Sequence, residues 1–391
     1  MYTVNCIEKY CDKYNTIAEK SFYTGNLSDA MDALYHSGAL QHTVNFRLHD
    51  KAGEDLMTLM SQKFERIVCA ESQVGCLFYD SIAVANMALS MQYLKALCSL
   101  GEKFVYIVNV YEWDEKAASQ LLNLADQCEN CEAIVIDTQM NMLEKVKAIR
   151  GIISKWKPAK ALLHMSNSDS IGCVAFGNIS GCTKYLINHG DEQFWFGTNI
   201  LDFSIEFRGM GKDASIKYRG LKEKQCLILP YYPILKKAEF QDFDFHIPDD
   251  AILIFSGGRF VKVYAEDNIF IKNVADILKR HKNAFFIFAG SGNSDPMKEF
   301  ILQNGLEERW KVIPYRDDLL EVLKRMDIYI GTYPQAGGLM AQYAAAAGLP
   351  IVEMDTKNGG ITEDLLPKFT GGGYRVTYNS WEDYNKQVDR L

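Results

Sequence analysis

No stretch of the chain approaches the ~18 apolar residues of a membrane-spanning helix, so no transmembrane segment is expected. The first nine residues, Met1 to Lys9, lack the apolar stretch of a secretory signal. Positive charge is in short supply: 42 Lys and Arg against 50 Asp and Glu leave a net charge of −8. That balance argues against general nucleic-acid binding, which needs a basic surface to neutralise phosphates. It leaves room for a local basic pocket around one anionic ligand. No second CxxC or CxxH accompanies Cys128-Glu-Asn-Cys131, so the spacing of a zinc site is incomplete. The ten cysteines read as ordinary thiols of a reducing compartment, and the protein reads as cytoplasmic. No internal repeat period is visible.

What is present fits a globular protein of two domains. A chain of 391 residues, 48% hydrophobic, 24% charged and 12% aromatic, is too long for one ordinary domain and rich enough to bury two cores. Residues 1–63 carry apolar residues at helical spacing, broken at Gly25-Asn26 and Lys51-Ala52-Gly53. They are expected to form a helical extension capping the first domain, with a partner-binding arm as the alternative. From Arg66 onward, short apolar runs alternate with longer amphipathic segments. Strands are expected at 66–71, 104–110, 133–137, 161–165, 185–188 and 226–229, and helices at 82–100, 115–127 and 143–156. Such alternation gives βαβ units and a parallel sheet covered on both faces.

Residues 233–248 are aromatic and polar without a period, and are read as a linker between a domain at 64–232 and one at 249–391. In the second domain the alternation resumes: strands at 251–255, 284–289, 311–313, 328–330 and 351–354, and helices at 269–281, 295–303, 319–325 and 339–347. A closing helix follows at 381–391. The expected fold class is α/β: two Rossmann-like domains facing across a cleft, with ligands at the carboxyl ends of the strands.

Three segments of the second domain have the chemistry of an anion site. Phe255-Ser-Gly-Gly258-Arg259-Phe-Val-Lys262 follows a strand; its glycines admit a ligand to the backbone, and Arg259 and Lys262 can neutralise a diphosphate. A turn followed by two surface cations is the plain alternative. Phe288-Ala-Gly290-Ser-Gly292-Asn293 again lies at a strand end, either as a simple turn or as a loop beside the ligand. In Tyr333-Pro-Gln335-Ala-Gly337-Gly338-Leu339-Met-Ala-Gln342-Tyr343, small residues precede an alanine helix that Gly348-Leu-Pro350 stops. Free N–H groups and the dipole at such a helix start attract anions. A purely structural helix has no need of Gly-Gly there.

In this order, Ser256-Gly-Gly-Arg259…Lys262, Phe288-Ala-Gly-Ser-Gly292, Tyr315-Arg316, Asp327-Ile-Tyr-Ile330 and Gly338…Gly348-Leu-Pro350-Ile-Val352 resemble the donor domain of GT-B glycosyltransferases. The pattern is similar to glycosyltransferase family 4 and, more distantly, to family 41. It extends over about residues 251–353. The resemblance implies a nucleotide-sugar donor, with a UDP-sugar foremost. Arg259 and Lys262 would hold the diphosphate, the Tyr315-Arg316 loop would lie beside the base, and Gly258, Gly290, Gly337, Gly338, Leu339, Gln335 and Gln342 would line the donor site. One departure stands out. Family 4 usually carries two glutamates eight positions apart, and here Gln335 and Tyr343 occupy those places. A glutamine can exchange hydrogen bonds but supplies no negative charge.

The first domain offers Tyr185-Leu-Ile-Asn188-His189-Gly190-Asp191-Glu192-Gln-Phe194-Trp195-Phe196-Gly197, a histidine, acids and aromatics at a strand end. Aromatic faces suit sugar CH surfaces, and histidine suits proton transfer near neutral pH. His189 is therefore a candidate base for an acceptor hydroxyl, oriented by Asp191, or a hydrogen-bonding partner of the donor sugar in a retaining enzyme. The plain alternative is a turn histidine with Phe194 and Trp195 in the core. Some bacterial GT-B enzymes have a similar Asn-His-x-Asp-x-x-Phe-Trp-x-Gly stretch.

Residues 74–81 are placed as a loop over the acceptor, with Asp80 as an acceptor contact, a base, or a helix cap before Ile82. Arg208 is either a cleft residue or part of a surface ion pair. Asp242-Phe-Asp244 matches the metal-binding DxD of other glycosyltransferases by chance, and neither metal nor cofactor is expected. Lys236-Lys237 with Tyr231 and Tyr232 reads as solvated linker, contact with an anionic membrane being the alternative.

The expected activity is metal-independent transfer of a hexose or N-acetylhexosamine from a nucleoside diphosphate to a hydroxyl of a glycan, protein or lipid, in a bacterial type of enzyme. The alternatives are a catalytically degenerate GT-B protein serving as binding partner or chaperone of an active transferase, and a nucleotide-sugar 2-epimerase of the same architecture.

Overall fold

The computed structural model describes residues 4–71, 74–83, 87–110, 115–231, 233, 235, 237–355 and 375–391. Ile234 and Lys236 of the expected linker lie outside that set, as do Tyr232 beside it and residues 84–86 of the helix expected at 82–100. The chain divides into two compact units, Met1–Tyr231 and Tyr232–Leu391. Among the described residues no helix is long and apolar enough to cross a membrane.

The first unit opens with three helices, α1 (Val4–Tyr23), α2 (Leu27–Val44) and α3 (Lys51–Ser61). Two are started by side-chain caps: Asn26 accepts from the Asp29 N–H, and Asp50 from the Gly53 N–H, satisfying donors that a helix start leaves open. Ala30, Met31, Leu34, Met57 and Met60 are buried in the same cluster as Leu77, Leu163 and Phe176. The helical segment is thus integral to this unit and not a free arm.

The strands and helices that follow are β1 (Ile67–Val68), β2 (Cys76–Asp80), α4 (Met87–Leu100), β3 (Phe104–Val108), α5 (Glu115–Asp126), β4 (Cys131–Val135) and α6 (Met142–Trp156). Next come β5 (Lys160–His164), α7 (Ser170–Phe176), β6 (Ile179–Ser180), β7 (Thr183–Asn188), β8 (Phe203–Glu206), α8 (Gly209–Arg219) and β9 (Cys226–Ile228). Seven strands make one parallel sheet, ordered β4-β3-β2-β5-β7-β8-β9, while β1 pairs with β6 apart from it.

The strand Cys76–Asp80 corrects the sequence reading, which placed a loop there and took 66–71 as the opening strand. Four of its five residues are buried, and a central parallel strand is a continuous apolar run rather than an alternating one. The apolar run at 66–71 supplies only a two-residue side ladder instead. A second correction concerns cysteine: Cys98 and Cys128 form a disulfide with Cα atoms 5.7 Å apart, so Cys128 is not a thiol. It ties the end of α4 to the turn before β4.

The second unit contains β10 (Ile252–Arg259), α9 (Ile269–Arg280), β11 (Ala284–Ser291), α10 (Asp295–Gln303), β12 (Trp310–Pro314) and α11 (Leu319–Leu323). It continues with β13 (Ile328–Ile330), α12 (Gly338–Ala347), β14 (Ile351–Met354), β15 (Thr377–Tyr378) and α13 (Trp381–Arg390). Its six strands are ordered β12-β11-β10-β13-β14-β15, all parallel. This is the doubly wound order 3-2-1-4-5-6 of dinucleotide-binding sheets. Strongly amphipathic α9 seals one face with Phe270, Ile271, Val274 and Leu278. The segment 233–248, read from sequence as a linker, lays Phe240, Phe243, Phe245 and Ile247 on the opposite core. Its aromatics lack a period because they serve an irregular strap and not a helix or strand.

In both sheets the direction of strand addition reverses once. The reversal falls between β2 and β5 in the first unit and between β10 and β13 in the second. Helices leave to opposite faces there and open a crevice at the carboxyl ends, the place where such sheets bind ligands.

Candidate functional site

In the second unit the crevice is built from glycine and cations. A cavity of about 290 Å³ is lined by Gly258 and Arg259 at the end of β10, Lys262 just beyond it, Gly290 at β11, Tyr315 and Arg316 after β12, and Gly337, Gly338 and Leu339 at the start of α12. Nine residues singled out in the sequence, spread over 82 positions, thus meet at one place. Gly258 lies at φ +145°, and a Cβ on Gly290 would stand 2.4 Å from the Gly258 carbonyl oxygen. Only glycine lets β10 and β11 end this close together. Gly337 caps α12 without a side-chain bond, so the first N–H groups of that helix remain available to an anion.

The charged side chains here divide their labour. Arg259 is exposed and bound to no carboxylate among the described residues, so its guanidinium is available to a ligand. The Lys262 ammonium donates to the Ala336 carbonyl at 3.2 Å, which holds it beside the helix start. Arg316 lines the cavity, yet its guanidinium is engaged elsewhere. It grips the buried Asp318 at 2.8 and 2.5 Å, donates to the Gln241 carbonyl and lies over the Phe240 and Phe243 rings. Hydrogen bonding to Asp318 raises the Arg316 pKa above its ordinary value. Arg316 therefore anchors the aromatic strap, while Tyr315 is 68% exposed. Gln335 is exposed and Gln342 is buried within α12, and neither lines the cavity.

In the first unit the reversal point is built from histidine and carboxylate. Asp80 closes β2 and His164 closes β5, and the two are register partners. The Asp80 carboxylate accepts from His164 Nδ1 at 3.0 Å, from the Tyr106 hydroxyl at 3.1 Å and from the Ile82 N–H at 3.2 Å. Ser90 of α4 adds its hydroxyl at 3.2 Å from the same His164 nitrogen. Asp80 is wholly buried and His164 is 1% exposed.

His189 follows β7, with its ring edge-on to that of His164 and the centroids 5.3 Å apart. Burial, joined by the neighbouring His164 and His42, lowers its pKa to about 3. His164 was not among the candidates named from sequence. The available signal was a histidine ending a buried apolar run directly before Ser166-Asn-Ser-Asp169.

Asp191 does not orient His189, contrary to the expectation from sequence. Its carboxylate makes a two-pronged contact with Arg208, at 2.5 and 2.6 Å, and Arg208 also reaches Glu192 at 2.9 Å. Burial alone would raise the Asp191 pKa, but the guanidinium overrides it and holds the carboxyl below its usual range. Burial and the adjacent Asp191 push Glu192 upward. Arg208 is 6% exposed, so it is neither a cleft residue nor a surface ion pair but a buried strut. Phe194 and Trp195 are buried as well and present no face to a sugar.

The loop carrying His189 is held by the helical segment. Glu54 of α3 accepts from the N–H groups of Gly197, Thr198 and Asn199 at 2.6, 3.0 and 3.2 Å. Asn45 bridges the Glu192 carbonyl and the Phe194 N–H. Asp242 and Asp244 face the Tyr315–Asp317 turn, and among the described residues no group of three or more His, Cys, Asp or Glu is placed to hold a metal ion.

Residues 251–391 match the sequence model of the family "Glycosyl transferases group 1". No curated protein is similar by sequence. Among solved structures, a mutant O-GlcNAc transferase of Thermobaculum terrenum aligns with a TM-score of 0.52 at 13% identity, over 98% of this chain and 76% of that one. A glycosyltransferase from Rickettsia africae aligns with a TM-score of 0.60 at 11% identity, over 84% and 88%. The Anabaena protein HepE, in complex with UDP and glucose, aligns with a TM-score of 0.51 at 11% identity, over 81% and 98%. At such identities the structural likeness establishes the fold. Residues 251–391 carry a glycosyl transferases group 1 domain, and the two parallel-sheet units share the GT-B fold of these glycosyltransferase structures.

Proposed function

We propose that this glycosyltransferase takes its sugar from a UDP-sugar and passes it to a hydroxyl of a glycan, without a metal ion or other cofactor. The observation that carries the donor assignment is the cavity where Arg259, Lys262 and the uncapped start of α12 converge. A diphosphate placed there would meet two cations, free N–H groups and the positive end of a helix dipole. These groups also stabilise the charge that grows on the diphosphate as the sugar–phosphate bond breaks, which is the task a metal performs elsewhere. UDP is preferred because the structurally similar Anabaena protein is described with UDP and glucose. With no carboxylate at position 335 or 343, the backbone and cations carry the donor and an acid pair does not.

Isothermal titration with UDP, GDP and ADP tests the donor assignment. UDP should bind most tightly, and the Arg259→Ala variant should bind it at least about tenfold more weakly, since a charge-assisted hydrogen bond contributes about 1.5–3 kcal/mol. Absence of binding by all three nucleotides at millimolar concentration would overturn it. Metal independence is tested by turnover in a chelator: loss of UDP-sugar consumption that magnesium or manganese restores would refute that part alone.

A further inference from the structure

A cavity of about 440 Å³ lies at the opposite end of the first sheet from His164 and His189. Cys76, Phe104 and Lys160, the first residues of β2, β3 and β5, line it. It therefore opens at the amino ends of the strands, away from the carboxyl-end crevice. Leu162 of β5 and Tyr185 of β7 also line it. Both strands are internal to the sheet, yet both side chains are only half-buried, whereas internal parallel strands are ordinarily covered on both faces. The cover on this face is incomplete. Among the described residues α4 and α5 are the only helices that contribute to its core, and Ile216 of α8 packs against the opposite one.

Beside this apolar hole stand apolar knobs. Leu100, closing α4, is 68% exposed; Ile228 of the edge strand β9 and Leu229 just beyond it are 51% and 52% exposed. All three line the cavity. Large exposed side chains gathered in one patch mark a contact surface. The lining adds one charge of each sign, Lys160 and Glu102. Both are exposed, and neither forms an ion pair among the described residues.

We infer that this patch is the contact between two copies of this chain, paired about a two-fold axis. Such a contact uses the same surface on both sides, so knob and hole must share one patch and each charge must find its opposite across the axis. The patch meets both conditions. Leu100 of each copy has the other's cavity to enter, and Lys160 of each copy meets Glu102 of the other. A membrane surface or a nucleic acid calls for a surplus of lysine, and a basic peptide for a surplus of acid; one lysine and one glutamate suit neither. Pairing at the amino ends of the strands leaves the carboxyl-end crevice of the first unit open.

The test is sedimentation equilibrium of the full-length protein over a range of concentrations, which should return twice the mass of one chain. Leu100→Glu and Leu229→Glu, both at exposed positions, should each weaken association about a hundredfold or more, because an unpaired carboxylate is costly inside an apolar contact. Lys160→Glu and Glu102→Lys should each weaken it about tenfold or more by setting like charges face to face. The double exchange should restore the dimer, since the pairs return with reversed polarity. That rescue is a result which damage to the fold does not produce. A wild-type protein that stays monomeric at millimolar concentration overturns the inference, and if it then sediments with phosphatidylglycerol vesicles the occupant is a membrane instead. A dimer indifferent to Leu100→Glu and to the single exchanges overturns it as well, the contact lying elsewhere. Failure of the double exchange to restore a dimer lost in the single ones overturns the two-fold pairing.

Discussion

The two units share one construction and differ in what they place at its centre. Both are parallel sheets that reverse direction once. The second fills its reversal point with Gly257, Gly258 and Gly290, leaving backbone and cations exposed. The first fills the equivalent point with Asp80, His164 and Tyr106, all buried, with His164 and Tyr106 both bonded to Asp80. On the proposed function the second site has a reason for its form: a diphosphate is recognised by N–H groups and positive charge that need little side-chain volume. One site is made by removing side chains and the other by locking them.

The largest effect expected from breaking this contrast lies in the first unit. Asp191→Asn removes the charge opposite the buried Arg208. It should cost about 3–5 kcal/mol in denaturant unfolding of that unit, with UDP affinity unchanged. Loss of UDP binding as well would mean that the units are not independent in this respect. Reduction of the Cys98–Cys128 bond, which closes a loop 30 residues in span, should lower stability by about 2–4 kcal/mol, again without altering nucleotide binding. Equal stability with and without a thiol reductant would remove the disulfide from the account.

The converse holds in the second unit: Arg259→Ala should leave unfolding nearly unchanged, because the side chain is exposed, while weakening UDP by about ten- to a hundredfold. A destabilised fold in this variant would make Arg259 a strut like Arg208.

His189 gives a pH signature confined to the first unit. Its folded pKa of about 3 lies below the unfolded value of 6.5, so below pH 6.5 the unfolded chain takes up a proton that the folded one refuses. Its contribution is complete above pH 6.5 and is lost as pH falls toward 3, amounting to about 2 kcal/mol by pH 5. His189→Phe should flatten that part of the unfolding profile; an unchanged slope would place the acid sensitivity elsewhere. The smallest effect is Gln335→Ala. An exposed side chain outside the cavity should change UDP affinity less than about twofold, and a tenfold loss would return Gln335 to the donor site.

The second unit was the more legible of the two. Strand–helix alternation, Gly258-Arg259, Gly290 and Gly337-Gly338 each carry a local reason for being where they are, and local reasons can be read along a chain. The elements expected at 269–281, 284–289, 295–303 and 351–354 lie within a residue or two of those observed. Arg316 shows the limit: its charge was visible, but its commitment to Asp318 and the aromatic strap was not, because the strap has no period. The first unit was read less well. Reading 74–81 as a loop displaced β2, and with it went the frame that brings Asp80 to His164. Asp191 stands two residues from His189 in sequence, yet its carboxylate belongs to Arg208, 17 positions away.

Sequence by itself determined the α/β class, the Rossmann-like second unit and the glycines and cations that line its cavity. These follow from hydrophobic period, helix stops and backbone freedom, which act between near neighbours. Tertiary structure alone decided which acid faces which base, which cations remain available, and that the helical segment grips the loop of His189 through Glu54 and Asn45. The reason is physical. The partner of a buried charge or imidazole is set by the register of strands far apart in sequence, as in the pairing of Asp80 with His164 across β2 and β5, and burial then excludes the water that would otherwise make the choice of partner immaterial.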